Sequence, residues 1–185
     1  MAEPLVPDPA HSSGPHVPDT AQHAEQRTWV ESVAQMIPGF GGYLNDDLVR
    51  QSNDLLRSWM VDRLREAKRP LGDYGQSLLS MGQIDGLPRI EKFEHRVDHL
   101  IARIDGAMQG YASALGLVRK REDRLRDVYD ADRSIAEEIV KLRDEAAALK
   151  TSAAPPTATI PPLLEKLEEI DRNFTRRMDL MKGTE

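Results

Sequence analysis

Apolar residues recur every three or four positions through most of the chain, a spacing that predicts helices rather than strands. The longest such run begins at Ile90. With Ile90 at heptad position a, the a positions read Ile90, Val97, Ile104, Tyr111, Val118, Leu125, Asp132, Ile139 and Ala146. The d positions read Phe93, Leu100, Ala107, Ala114, Arg121, Val128, Ile135, Leu142 and Leu149. Only Arg121 and Asp132 break these eighteen positions with charge, and no proline interrupts the run. A repeat of that length predicts a coiled-coil seam. The favoured reading is one heptad-patterned helix over about 88–150, extending roughly 90 Å at about 1.5 Å per residue.

The competing reading bends or breaks that helix near 119–124, where Arg119–Arg124 reads RKREDR and Gly116 lies just before. A turn there gives helices near 45–69, 88–118, 122–149 and 161–182, lengths suited to a four-helix bundle. The heptad phase is unchanged on either side, and no Pro, Asn-Gly or Asp-Gly marks a turn, which favours continuity.

Shorter elements flank the long run. Trp29, Val30, Val33, Met36 and Ile37 form a short apolar cluster with helical spacing that stops at Pro38. Pro38-Gly39-Phe40-Gly41-Gly42 breaks the chain, and Asn45 is a suitable N-cap ahead of Asp46 and Asp47. The next helix carries Leu48, Leu55, Leu56, Trp59, Met60 and Leu64 on one side, has Arg63, Arg65, Lys68 and Arg69 in its last turns, and ends at Pro70. Residues 70–86, with Gly72, Gly75, Gly82 and Gly86, read as a loop with at most a helical turn at Ser77–Met81. Beyond the long run, 151–162 reads as a Pro/Ala/Thr linker. A last amphipathic helix follows over 163–185, starting at Pro161 and Pro162 with Ile160, Leu163, Leu167, Ile170, Phe174 and Met181 at a and d spacing. The fold class is therefore all-α, a coiled-coil-like bundle of shorter antiparallel helices on a long one. Its organisation is a tail over 1–27, a helical domain over 28–150, a linker and a C-terminal helix.

Composition narrows the functional classes. Aromatic residues make up 5% and charged residues 30% of the chain, which suits long helices burying a narrow stripe better than a wide core. With no cysteine, disulfides, thiolate zinc sites and a cysteine nucleophile are excluded, and a reducing compartment fits. A net charge of −6 gives no long-range attraction to nucleic acid. No window approaches the roughly 18 continuous apolar residues of a membrane span. The first residues, MAEPLVPDPAHSSGPHVPD, lack the basic start and apolar centre of a secretory signal, and their prolines predict a disordered tail. The expected location is the cytoplasm.

Candidate chemistry is sparse. His95 and His99 stand at i and i+4, a spacing that can hold zinc from one helix face. Arg96 occupies the place of a metalloprotease general base, and the two histidines fall at the outer heptad positions f and c. A solvated pair is therefore expected, and no metal or cofactor. Gly39-Phe40-Gly41-Gly42 precedes a helix start, but Asp46 and Asp47 would repel a phosphate there, so a hinge or helix-entry turn is expected. His11, His16 and His23 lie in the tail without fixed geometry. The basic residues Arg119, Lys120, Arg121, Arg124 and Arg126 alternate with Glu122, Asp123 and Asp127, as intrahelical pairs would. Asp132 in an apolar seam can fix register and partner number, and Arg121 can act similarly. Asp132, Arg121, Trp59 and Phe174 are the interaction and register candidates.

The pattern Gly42-Tyr43, Arg50, Asp54, Leu55, Arg57, then Gly110-Tyr111, Leu125 and Val128-Tyr129-Asp130-Ala131-Asp132, resembles a group of bacterial all-helical proteins of no assigned activity, over about residues 38–149. The resemblance implies a bacterial cytosolic helical protein and carries no site. The expected function is a non-catalytic scaffold or adaptor acting through coiled-coil contacts, with a protein partner or a second copy. Peripheral membrane association through 45–69 or 119–126 is the alternative, and a metal-dependent enzyme using His95 and His99 is the second alternative.

Overall fold

The structure, a computed structural model, describes residue 28 and residues 30–42, 46–107, 122–149 and 155–182. The tail with its three histidines, the N-cap Asn45, the Gly110-Tyr111 pair and Arg121 lie outside these. Among the described residues the molecule is all helical: α1 (Asp46–Ser80), a 3-10 helix (Ile84–Gly86), α2 (Leu87–Gly106), α3 (Glu122–Ala148) and α4 (Pro156–Lys182). A helical turn over 30–34 precedes them, with Val33 and Ile37 fully buried.

Cross-helix pairs fix the directions. Arg57 Nη1 donates to the Asp105 carbonyl and Lys68 pairs with Asp98, so α1 and α2 run antiparallel. Arg96 reaches Glu168 and Arg103 binds Asp171, so α2 and α4 run parallel. Lys166 binds Glu145 and Arg177 binds Asp132, so α3 and α4 are antiparallel. Each helix packs beside two others, α1 with α2 and α3, and α4 with α2 and α3. This leaves α1 and α4 on one diagonal of the bundle, and α2 and α3 on the other.

The arrangement corrects the single helix over 88–150. Residues 96 and 145 flank the same level of α4, and the chain reverses direction between Ala107 and Glu122. The heptad phase nevertheless reads the core correctly. Ile90, Phe93, Val97, Leu100 and Ile104 of α2 are buried, as are Leu125, Val128, Ile135, Ile139 and Leu142 of α3. A buried stripe constrains each helix against its own neighbours, so equal phase on two helices says nothing about a bend between them.

Two further boundaries differ from expectation. Helix α1 does not stop at Pro70 but continues through it to Ser80, so most of the expected loop is helix. The reason is the stripe Leu64, Ala67, Leu71, Tyr74 and Leu78, buried throughout at alternating spacings of three and four. Continuous burial of that stripe outweighs the hydrogen bond that a proline removes at the Glu66 carbonyl. The basic residues before Pro70, read as end-of-helix signals, instead pair laterally, Arg63 with Glu66 and Lys68 with Asp98. Helix α4 likewise begins at Pro156 and holds Pro161 and Pro162 within its second turn. The carbonyls that lose donors there belong to Thr157 and Ala158, which are exposed and so open to solvent.

Two glycines let the ends close. Gly42 has φ +77°, and a Cβ there would stand 2.5 Å from Val30 Cγ2 and 2.7 Å from the Tyr129 hydroxyl. Phe40 packs edge-on against the Tyr129 ring, with centroids 6.3 Å apart. The buried Ser52 accepts the Gly41 N–H at 3.1 Å. The Gly39–Gly42 stretch is thus tied down at the base of α1 and α3. At the opposite end, a Cβ on Gly86 would lie 2.6 Å from the Pro156 ring, so only glycine lets α4 start so close to the 3-10 turn.

Candidate functional site

The residue that breaks the α3 stripe has its partner in the α4 stripe. Ile160, Leu163, Leu167, Ile170, Phe174 and Met181 are all buried as their spacing predicts. Arg177 fills the position between Phe174 and Met181 and is only 3% exposed. Its Nε donates to Oδ1 of the fully buried Asp132, and its Nη2 donates to Asn53 Oδ1 at 2.9 Å. One side chain therefore joins α4 to its neighbour α3 and, across the diagonal, to α1. An unpaired charge in that environment would be costly, whereas a hydrogen-bonded pair is tolerated and fixes which layers face each other. Asp132 was legible as a register candidate. Arg177 was missed, although an arginine in step with a core stripe, facing a lone core carboxylate, was sufficient signal.

Beside this node lies a shallow cleft, partly open to solvent, with room inside for little more than a water or two. Leu56, Met60, Ile104 and Phe174 form its apolar walls, and Arg57 and Arg177 its polar end. Arg103 lies over the Phe174 ring, 6.0 Å from its centroid, and is held by Asp171 and by Thr175 Oγ1. Among the described residues Arg57 Nε is buried without an acceptor. A second concavity, between α3 and α4, is of mixed character, with Asp127, Asp130, Asn173 and Arg176 beside Ala131 and Leu180. There Asn173 donates to Glu138.

The other candidates fall apart in space. His95 and His99 are exposed on α2. His99 borders a shallow depression with Arg96, Glu168 and Asp171. Among the described residues no three His, Cys, Asp or Glu side chains gather as a metal site would require. Trp59 is half-buried on the flank of α1, with the Arg63 guanidinium 5.8 Å from its ring centroid. Phe174 is buried within the chain's own core. Among the described residues no helix is long and apolar enough to cross a membrane.

One apolar group has no core to join. Leu79, Met81 and Ile84 are 55%, 60% and 62% exposed, and all three sit at the turn from α1 to α2. Composition could not reveal this tip, because its residues fall in a stretch read as loop.

Compared with protein-family models, curated proteins and solved structures, the chain shows no match. The likeness to bacterial all-helical proteins has no counterpart in those comparisons. The class that the fold defines is thus an all-α helical bundle, and its function has to be argued from its surfaces.

Proposed function

We propose that the protein is a non-catalytic interaction module, a scaffold or adaptor whose helices pack on one another in coiled-coil fashion and whose contact surface is the apolar tip. The observation that carries this reading is the clustering of Leu79, Met81 and Ile84, exposed within six residues at one end of the bundle. Exposed apolar groups gathered in one place, rather than scattered singly, favour an interaction surface. The heptad residues support a different role from the one expected of them: they are occupied within the chain and hold the tip in place. The apolar side of α1 is similarly occupied by Leu56, Met60 and Leu64, which weighs against that helix lying on a membrane.

The test replaces the tip and leaves the bundle intact. The triple variant Leu79→Ser, Met81→Ser, Ile84→Ser is expected to keep the helical circular dichroism and thermal midpoint of the parent. It should lose the self-association seen by sedimentation velocity, or the partner that co-purifies with the parent. A parent that stays monomeric and captures nothing refutes the proposal, as does a triple variant that associates equally well. Sedimentation with anionic vesicles forms a third arm, in which tip-dependent binding would move the reading to a membrane surface.

A further inference from the structure

The concavity between α3 and α4 is roomier than the cleft beside Arg57, with about 220 Å³ open to water-sized groups against about 20 Å³. That is space for several waters, or for a ligand of about ten non-hydrogen atoms. Asp127 and Asp130 stand one turn apart on α3, and Arg176 lines the other wall, on α4. All three are exposed, and among the described residues none of them has a hydrogen bond or ion pair. Ser134 Oγ and Asn173 Nδ2 both donate to Glu138, which leaves the Ser134 and Asn173 oxygens as acceptors. Apart from Arg176, the side chains around this space therefore offer mainly acceptors. A metal ion is a poor match, because among the described residues no three carboxylate or imidazole groups gather.

We propose that this concavity binds a basic amino acid such as lysine or ornithine, a molecule of the size the space admits. Two carboxylates and one guanidinium call for two ammonium groups and one carboxylate, the charges that such a molecule carries at neutral pH. Its ammonium groups supply donors to the acceptor-rich α3 wall, and Arg176 meets its carboxylate. The methylene stem lies on Ala131 and Leu180, the apolar part of the lining. The chain's net charge of −6 favours a ligand of net positive charge. The site lies along the C-terminal half of α4, whereas the tip adjoins the start of that helix, where Gly86 meets Pro156. Binding here is independent of whatever the tip contacts.

The test is calorimetry of the full chain with L-lysine, with methyl NMR of Ala131 and Leu180 to place the ligand. Saturable one-to-one binding is expected, with a dissociation constant below about 1 mM. Norleucine lacks the side-chain ammonium and cadaverine lacks the carboxylate. Each should bind about two- to fivefold more weakly, as loss of one partly solvated ion pair predicts. Asp130→Asn and Arg176→Gln should weaken lysine to a similar extent, whereas Arg65→Gln on α1 should leave it unchanged. Both site residues are exposed, so these variants should keep the parent's helical circular dichroism. Asp127→Asn decides the matter if one of them does not fold. Lysine that fails to saturate overturns the proposal, and so does norleucine or cadaverine binding as tightly. Nα-acetyl-lysine methylamide binding as tightly also overturns it, because a lysine side chain of a protein would then be the ligand. Unchanged affinity in the folded variants, or shifts away from Ala131 and Leu180, overturns it too.

Discussion

Removing the carboxylate of Asp132 isolates the buried node most sharply. In Asp132→Ala the guanidinium of Arg177, 3% exposed, keeps Asn53 but loses the carboxylate that its Nε donates to. Breaking a buried pair from one side typically costs about 3–5 kcal/mol, against a total stability of about 5–15 kcal/mol for a native domain. Replacing both partners by apolar residues of similar volume, Asp132→Leu with Arg177→Met, removes the uncompensated charge, and such swaps are commonly neutral or stabilising by about 1–4 kcal/mol. The double variant should therefore be more stable than Asp132→Leu alone or Arg177→Met alone, a reversal that no additive packing effect produces. Urea unfolding followed at the helical circular dichroism band measures it, with an unchanged denaturant slope as the check that the same structure unfolds. A loss below about 1 kcal/mol in Asp132→Ala would mean the pair is solvated rather than buried. Strictly additive losses in the double variant would refute the reasoning equally.

Three further outcomes follow from single positions. Gly42→Ala adds a Cβ at φ +77° within 2.7 Å of both Val30 and the Tyr129 hydroxyl; strain and overpacking together should cost about 2–4 kcal/mol by thermal or urea unfolding. Gly72→Ala places a methyl on the exposed face of α1, where Glu94 Oε1 at 3.8 Å is the nearest atom, and should raise stability by about 0.5–1 kcal/mol through helix propensity. Lys68→Met removes an ion pair whose partners are 32% and 56% exposed, so its effect should stay within about 1 kcal/mol and shrink further in high salt.

What the chain disclosed before folding was the identity of its buried stripes. The a and d positions of 90–104 and 125–149 are core, as are the six apolar residues named for α4, because helical periodicity is written directly into the order of residues. Connectivity was less legible. The reversal between Ala107 and Glu122 left the heptad phase intact, so periodicity alone could not reveal it. Pro70 misled for the opposite reason, since a strong local signal yielded to the continued stripe Leu71, Tyr74 and Leu78. The node was half legible: Asp132 stood out against its apolar neighbours, while Arg177 was one of three arginines in a charge-rich helix. The exposed tip was not legible, because exposure of Leu79, Met81 and Ile84 depends on where two helices meet.

The central claim is that the chain fills its own seam by folding back between Ala107 and Glu122. Because the protein has no cysteine, His95→Cys and Asp144→Cys create a unique pair of labelling sites on exposed positions of α2 and α3. Diagonal helices in a bundle with neighbour spacings of about 8–10 Å place two spin labels within about 35 Å of each other. A continuous helix would separate them by roughly 75 Å, at about 1.5 Å per residue. Pulsed electron resonance on doubly labelled chain diluted with unlabelled protein should give the short distance, and a distribution centred near the long one would contradict the account.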